Sequence, residues 1–150
     1  MNNQEQRTRN QERFSIRTMS IRDYAAVLAL WKNTPGICLD DSDSCPAIAR
    51  LLRRNPGCCF VACAEDEIVG AVLSAHDGRR GFIYHLAVAT SHRKHGLGRA
   101  LVAHCLRALA KNKIPKCSLF VLPDNTIGKR FWQNSGWTRR INICVFQKKI

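Results

Sequence analysis

A seven-residue stretch carries the clearest potential for chemistry in this sequence, since residues 93–99 read RKHGLGR. Its two glycines let the backbone turn tightly and approach a ligand closely. The stretch also opens an amphipathic segment, and the first N–H groups of a helix have no partner within the helix and attract anions. We therefore predict a phosphate or pyrophosphate site, supported by basic side chains. The predicted contacts are Arg93, Lys94, His95, Gly96, Leu97, Gly98 and Arg99.

The spacing of this loop is not diagnostic by itself. Neither the dinucleotide fingerprint GxGxxG nor the P-loop pattern GxxxxGKS/T is present. A glycine-rich helix start with incidental basic residues is the alternative interpretation. The position of the loop along the chain, between an apolar strand-like segment and an amphipathic segment, therefore has to distinguish the two.

The histidines are candidates for proton transfer, because an imidazole ordinarily titrates near pH ~6.5. His85 lies inside the apolar segment FIYHLAVA and is our candidate general base. A half-buried strand histidine with a satisfied hydrogen bond is an equally good interpretation. His76, at the end of the preceding apolar segment, competes for the same role. His92 and His95 belong to the phosphate loop or lie beside it.

Length and composition fit one compact domain, with 150 residues of which 45% are apolar. No apolar run reaches the roughly 18 residues that a membrane-spanning helix needs, and the start MNNQEQRTRNQER lacks the apolar stretch of a secretory signal. The eight cysteines lack CxxC spacing and lie mostly in apolar runs. We therefore expect a cytoplasmic protein with reduced thiols and no metal site.

The formal net charge of +13 is distributed unevenly. Residues 1–75 carry nine basic and nine acidic side chains, whereas residues 76–150 carry fifteen basic side chains against two acidic ones. Such an asymmetry is typical of a nucleic-acid surface, of a site for a polyanionic small molecule, or of a solvated face that keeps the protein soluble. Charge alone does not choose among the three.

Periodicity predicts the elements that must position these residues. A polar tail over 1–13, expected to be disordered, precedes a β-α-α-β-β-β-α-β-α-β order within a single domain over 14–150. Short connections between the three central strands predict an antiparallel meander, and the fold class is α/β with a mixed, mostly antiparallel sheet. The predicted strands are 14–19, 58–64, 68–76, 82–89, 117–122 and 141–147. The predicted helices are 20–33, 44–54, 97–112 and 125–135.

Two segments in this order resemble the GNAT superfamily of acetyl-CoA-dependent N-acyltransferases. They are HLAVATSHRKHGLGRALVAHCL, with its R-x-x-G-x-G phosphate loop, and DNTIGKRFWQNSGW. The resemblance covers about residues 14–147. It implies an N-acetyltransferase in which the strands at 82–89 and 117–122 splay apart around acetyl-CoA.

The resemblance also implies the cofactor contacts. The pyrophosphate would lie on residues 93–99. The pantetheine arm would form hydrogen bonds with the backbone of residues 86–88, as an added strand would. Family members often have a tyrosine general acid where this chain has Trp132, which leaves that role to Ser135 or water. Arg130 is an alternative to Lys129 for the 3′-phosphate. The implied contacts outside the loop are Leu86, Ala87, Val88, Asn125, Lys129 and Trp132.

The acceptor side is expected on the first two helices and their connecting loop. Trp31 could wall a pocket there, and Asp40, Asp41 or Asp43 could attract an ammonium group. A solvated acidic loop with Trp31 in the core is the alternative. The expected partners are acetyl-CoA and a small amine or peptide, with a homodimer as a further possibility.

Three other functional hypotheses remain open at this point. A covalent route through Cys63 or Cys117 is a minor alternative to direct transfer, because thiolates attack thioesters. A non-catalytic acyl-CoA sensor would explain Trp132. A basic nucleic-acid-binding protein would explain the charge, although the chain carries no recognisable binding module.

Overall fold

The computed structural model describes residues 14–150, so the predicted disordered tail lies outside the described residues. The chain forms two compact units that divide between Phe120 and Val121. The first unit carries the sheet and three of the helices, and the second carries one helix. Among residues 14–150, no helix is both long and apolar enough to cross a bilayer.

The first unit follows the predicted order of elements closely. Its strands are β1 (Ser15–Thr18), β2 (Phe60–Ala64), β3 (Glu67–His76), β4 (Gly81–Val88) and β5 (Cys117–Ser118). Its α-helices are α1 (Tyr24–Lys32), α2 (Cys45–Arg54) and α3 (Leu97–Lys111). Short 3-10 turns precede each of these helices.

The first two helices begin at capping residues that can be recognised in the sequence. Ser20 and Asp23 form a capping box, in which the backbone N–H of Ser20 donates to the Asp23 carboxylate at 2.8 Å. That box starts a 3-10 turn, so α1 begins at Tyr24 rather than directly after Ser20. Ser44 is the N-cap of α2, and Pro46 occupies its first turn, where a missing N–H costs nothing.

The sheet has the order β1-β2-β3-β4-β5. The first four strands pair antiparallel, and β5 pairs parallel to β4, with α3 as the crossover between them. These pairings confirm the antiparallel meander and the mixed, mostly antiparallel sheet. Neighbouring residues of a strand face opposite sides. Gly70 of β3 accordingly faces Leu101 of α3, whereas Ala71 faces the opposite layer, which contains α1 and α2.

One hydrophobic core lies between the sheet and the layer formed by α1 and α2. Its apolar side chains come from positions three or four apart on the helices and from alternate positions on the strands, as amphipathic elements require. The buried members are Met19, Val27, Trp31, Ile48, Cys59, Val61, Ala71, Leu73 and Ala87.

The second unit contains α4 (Thr126–Asn134). Asn125 is its N-cap, and the side-chain oxygen of Asn125 accepts the Gly128 N–H at 2.8 Å. Trp132 contacts two neighbouring rings edge-on, with centroids 5.0 Å from Phe131 and 5.1 Å from Trp137. The predicted helix over 125–135 is thus confirmed.

Two strand predictions are wrong. The predicted strand at 117–122 is reduced to Cys117–Ser118, and no strand forms over 141–147. The alternating apolar residues there remain exposed, with Ile143 at 62% and Val145 at 61% of full exposure. β-propensity reports fit to a pleated, half-buried surface rather than an intrinsic preference. The apolar alternation of 141–147 therefore does not by itself produce a strand.

Candidate active site

The phosphate-loop candidate lies between the end of β4 and the start of α3. Gly96 is the N-cap of α3 with φ +80°, a left-handed conformation that glycine adopts without a Cβ penalty. Within the described residues, the N–H groups of Leu97 and Gly98 have no backbone acceptor, as expected in a first helical turn. The loop therefore presents N–H donors at the positive end of the α3 dipole.

Arg93 fixes this loop to the sheet. Its Nε donates a hydrogen bond of 2.9 Å to the carbonyl oxygen of Val88, the last residue of β4. Lys94 follows with an exposed side chain and φ +63°. The loop thus combines directed backbone donors with at least one exposed positive charge, which is what a phosphate group requires.

The outer edge of β4 is open along most of its length. Its pairing with β5 consists of Gly81 with Cys117 and Phe82 with Ser118. From Ile83 to Val88 no strand of the described chain pairs with this edge. Unpaired N–H and C=O groups of this kind can accept an extended ligand as if it were another strand.

A β-bulge interrupts the other edge of β4. Leu73 of β3 pairs with Tyr84, but Ala71 pairs with Ala87, so two residues of β4 stand opposite Val72. The first of these two residues, His85, has φ +51°. A left-handed conformation costs a residue with a side chain roughly 1–2 kcal/mol, so the surrounding structure must hold His85 in it.

The bulge brings His85 into contact with the helical layer. Its Nε2 lies 2.7 Å from Oδ1 of Asp43, which is separated from it by 42 residues in sequence. The His85 side chain keeps 19% exposure, and Asp43 keeps 9%. The described residues place no hydrogen-bond partner on Nδ1 of His85. The imidazole is therefore fixed at one nitrogen and partly accessible.

Asp43 is itself held in place. Its Oδ2 accepts the backbone N–H of Asp40 at 3.0 Å, which closes the capping box of the 3-10 turn Asp41–Asp43. Its backbone carbonyl accepts a 2.8 Å hydrogen bond from the hydroxyl of Tyr24 on α1. The carboxylate that meets His85 is thus anchored both within its own turn and to a neighbouring helix.

Trp31 packs behind His85 instead of lining an open pocket. It is 1% exposed, and its ring meets the imidazole edge-on with centroids 5.0 Å apart and an interplanar angle of 65°. Its Nε1 is buried with no hydrogen-bond partner in the described structure. Trp31 therefore belongs to the core, which was the alternative expectation from the sequence.

The other predicted acceptor residues, Asp40 and Asp41, are exposed beside this pair. Hydrogen bonds from Ser42 to the carboxylate of Asp40 lower its pKa, and the charge of His85 acts in the same direction. Asp40 therefore stays ionised next to the imidazole. The acidic loop thus contributes one buried carboxylate, Asp43, and two exposed carboxylates, Asp40 and Asp41.

The remaining predicted residues lie elsewhere. His76 accepts the Gly78 N–H in the β3–β4 turn and pairs with Gly81 at the start of β4, away from His85. Burial raises the pKa of the Cys117 thiol to about 11, which disfavours a thiolate nucleophile. Among the described residues no group of three or more potential ligands could hold a metal ion.

Three predicted cofactor residues belong to the second unit. Asn125 uses its side-chain oxygen as the α4 cap. The Nζ of Lys129 donates to the carbonyl of Pro123 at 2.5 Å. Trp132 is half-buried between its aromatic neighbours. Each thus has a local structural partner within its own unit.

The five-stranded mixed sheet, with the open edge of β4 and the glycine-capped helix after it, is the frame on which the family assignment bears. The model of the acetyltransferase (GNAT) family matches residues 24–137. The chain therefore belongs to the GNAT family, and it is an acetyltransferase.

Individual proteins are similar to this chain in sequence or in fold. An acetyltransferase of Pectobacterium atrosepticum is 34% identical over 110 residues, which are 73% of this chain and 77% of the relative. Ard1 from Thermoplasma volcanium is similar in fold, with a TM-score of 0.73 at 22% identity over 83% of this chain and 82% of that one. Diaminobutyrate acetyltransferase EctA from Paenibacillus lautus, solved with L-2,4-diaminobutyric acid and coenzyme A, has a TM-score of 0.68 at 25% identity, covering 81% and 73%.

Proposed function

We propose that this protein transfers an acetyl group from acetyl-CoA directly to a primary amine of a small molecule or peptide. The observation that carries the proposal is one strand, β4, whose open edge leads into the loop at 93–99 and whose bulge presents His85. The family match spans the boundary between the two units, which supports the proposal that residues 14–150 form one catalytic domain.

The residues present fit acetyl-CoA. The N–H groups of Leu97 and Gly98, which have no backbone acceptor among the described residues, and the charge of Lys94 suit a pyrophosphate. The backbone of residues 86–88, whose outer edge pairs with no strand of the described chain and whose Val88 carbonyl accepts a hydrogen bond from Arg93 Nε, suits the amides of a pantetheine arm. In the second unit we propose Asn125, Lys129 and Trp132 as further contacts. When bound, the cofactor supplies an acetyl group activated as a thioester.

In the proposed reaction His85 is the general base. An amine arrives as an ammonium ion at neutral pH and must lose a proton before it can attack a carbonyl. The partly accessible imidazole can take this proton directly or through a water. The exposed carboxylates of Asp40 and Asp41 would attract the ammonium group beforehand. We assign protonation of the departing thiolate to water, because the usual tyrosine position holds Trp132.

Isothermal titration with acetyl-CoA tests the cofactor part of the proposal. Lys94→Glu should raise Kd about tenfold, that is, by ~1.4 kcal/mol, and the effect should shrink as salt screens it. Lys113→Glu is a matched control, because Lys113 is also exposed and has φ +61° against +63° for Lys94, but it follows the far end of α3. Absence of saturable binding to the wild type, or equal effects of both variants, would refute the cofactor site.

Thiol release tests the transfer itself. The acceptors to be assayed are L-2,4-diaminobutyric acid, a short alkyl diamine and a peptide with a free amino terminus. A wild-type protein that binds acetyl-CoA but acetylates none of them would favour the second candidate, a non-catalytic acyl-CoA sensor. The observation behind that candidate is Trp132, which cannot serve as a general acid.

A further inference from the structure

The contact between Asp43 and His85 has the geometry of an orienting pair. We propose that Asp43 is a positioning residue, which holds the His85 imidazole so that Nδ1 faces the amine to be acetylated. This inference rests on the proposed function, since it gives the general base of that reaction its partner. Nothing in the sequence pairs the two residues, because they lie 42 positions apart.

The anchoring of Asp43 favours an orienting role. One carboxylate oxygen accepts the Asp40 N–H, which leaves the other oxygen directed at Nε2 of His85. The Tyr24 hydroxyl holds the backbone of Asp43 against α1. A residue anchored at its carboxylate and at its backbone can fix the imidazole in turn, and its carboxylate determines which ring nitrogen carries the proton.

The conformation of His85 points in the same direction. It is the bulged residue of β4 and has φ +51°, a region that glycine occupies at far lower cost. Glycine at this position would satisfy the bulge but could make neither the hydrogen bond to Asp43 nor the contact with Trp31. Strained residues of this kind are concentrated at functional sites.

In the contact between Asp43 and His85, the two ring nitrogens of His85 have different roles. A carboxylate accepts hydrogen bonds only, so the contact requires the proton on Nε2, and in the neutral imidazole this leaves the lone pair on Nδ1. Nδ1 then takes one proton from the ammonium group of the acceptor. The freed amine forms a C–N bond to the acetyl carbon and the C–S bond of the thioester breaks. The second proton of the nitrogen passes through water to the departing thiolate, and His85 later releases its proton to solvent. The products are an amide and free coenzyme A.

A double-mutant cycle separates orientation from a merely structural contribution. Asp43→Asn removes the charge and keeps the shape, and it should lower kcat at least tenfold while leaving the KM for acetyl-CoA within twofold. In a His85→Gln background the same substitution should change kcat less than twofold, because a positioning residue acts only through the residue that it positions. Equal losses in both backgrounds, or no loss in either, would overturn the proposal.

The control variant is Asp77→Asn. Asp77 is an exposed carboxylate that also accepts two backbone N–H groups within a turn, at 2.8 Å each from Arg79 and Arg80. It lies in the β3–β4 turn, at the opposite end of β4 from the phosphate loop. The same change of charge there should leave kcat unaltered, and thermal unfolding of all variants shows whether each one folds.

A second measurement does not depend on activity. With ¹⁵N-labelled histidine, the hydrogen-bonded Nε2–H of His85 should give a protected, downfield NMR signal that Asp43→Ala abolishes. Absence of that signal in the wild type would overturn the pairing. A wild type that acetylates no amine would instead refute the proposed function, whereas an active wild type with an unaffected Asp43→Asn variant refutes the pairing alone.

Discussion

Replacement of Gly96 by alanine tests whether the left-handed helix start is what binds the cofactor. Gly96 has φ +80°, and Gly57, between α2 and β2, has φ +73° with nothing within 4 Å of an added Cβ. A left-handed alanine costs about 1–2 kcal/mol, and the loss of glycine's freedom in the unfolded chain returns about 0.4–1 kcal/mol. Each variant should therefore lose roughly 1 kcal/mol of folding free energy.

The two variants should differ only in their affinity for acetyl-CoA. The chain relieves strain at Gly96 by rotating the N–H groups that follow, and binding must restore them at a cost of about 1 kcal/mol, or roughly fivefold in Kd. Gly57 precedes β2, at the end of the sheet opposite the phosphate loop. Gly57→Ala should therefore leave the affinity unchanged.

Isothermal titration with acetyl-CoA gives Kd, and thermal unfolding gives the stability loss, which should be about 2–4 °C in Tm per kcal/mol for a chain of this size. Equal Kd values for Gly96→Ala, Gly57→Ala and the wild type would contradict the assignment of the helix start as the phosphate site. An equal loss of affinity in both variants would show that the effect follows from stability rather than from loop geometry.

Three further perturbations test the fold around the site. The hydrogen bond from Arg17 lowers the pKa of Asp23. The stability that Asp23 contributes is therefore present above about pH 4 and lost as pH falls below it. Below about pH 4, the free energy of unfolding of Asp23→Asn should depend less on pH than that of the wild type, as acid unfolding curves will show. Gly81→Ala places a Cβ 2.8 Å from a methyl of buried Leu109, so calorimetry should show a loss of about 1–3 kcal/mol. Burial raises the pKa of Cys59 to about 12. Iodoacetamide at pH 8 should therefore leave Cys59 unlabelled in the folded protein, and labelling of Cys59 within minutes would contradict this prediction.

Much of the fold could be predicted from the sequence because local signals agree there. The capping box at Ser20, the proline in the first turn of α2 and the glycine before α3 each mark an element boundary in physical terms. The apolar alternation of 141–147 is the instructive exception. Periodicity states that a segment can form a strand, but a strand forms only where a partner offers unpaired backbone groups.

The candidate site was only partly predictable, for a different reason. The loop at 93–99 is contiguous, so its glycines and basic residues reveal it directly. The partner of His85 is not contiguous, and the sequence shows Asp43 only as one of three acidic residues in one loop. The contact depends on a bulge at a histidine with φ +51°, and no sequence rule assigns a left-handed conformation to a histidine inside an apolar strand.

That bulge explains how one strand can serve both substrates of an acetyl transfer. A bulge bends its strand and increases the local twist. In β4 it lies after the last residue paired with β5, Phe82, and within the open stretch from Ile83 to Val88 that leads to the phosphate loop. One of its two residues, His85, reaches Asp43 on the helical side of the sheet. If β4 continued in the register of the Leu73–Tyr84 pair, position 85 would pair with Val72 and face the other side of the sheet, away from Asp43. A strand in that register should therefore separate the base from its partner even if every residue of the site were retained.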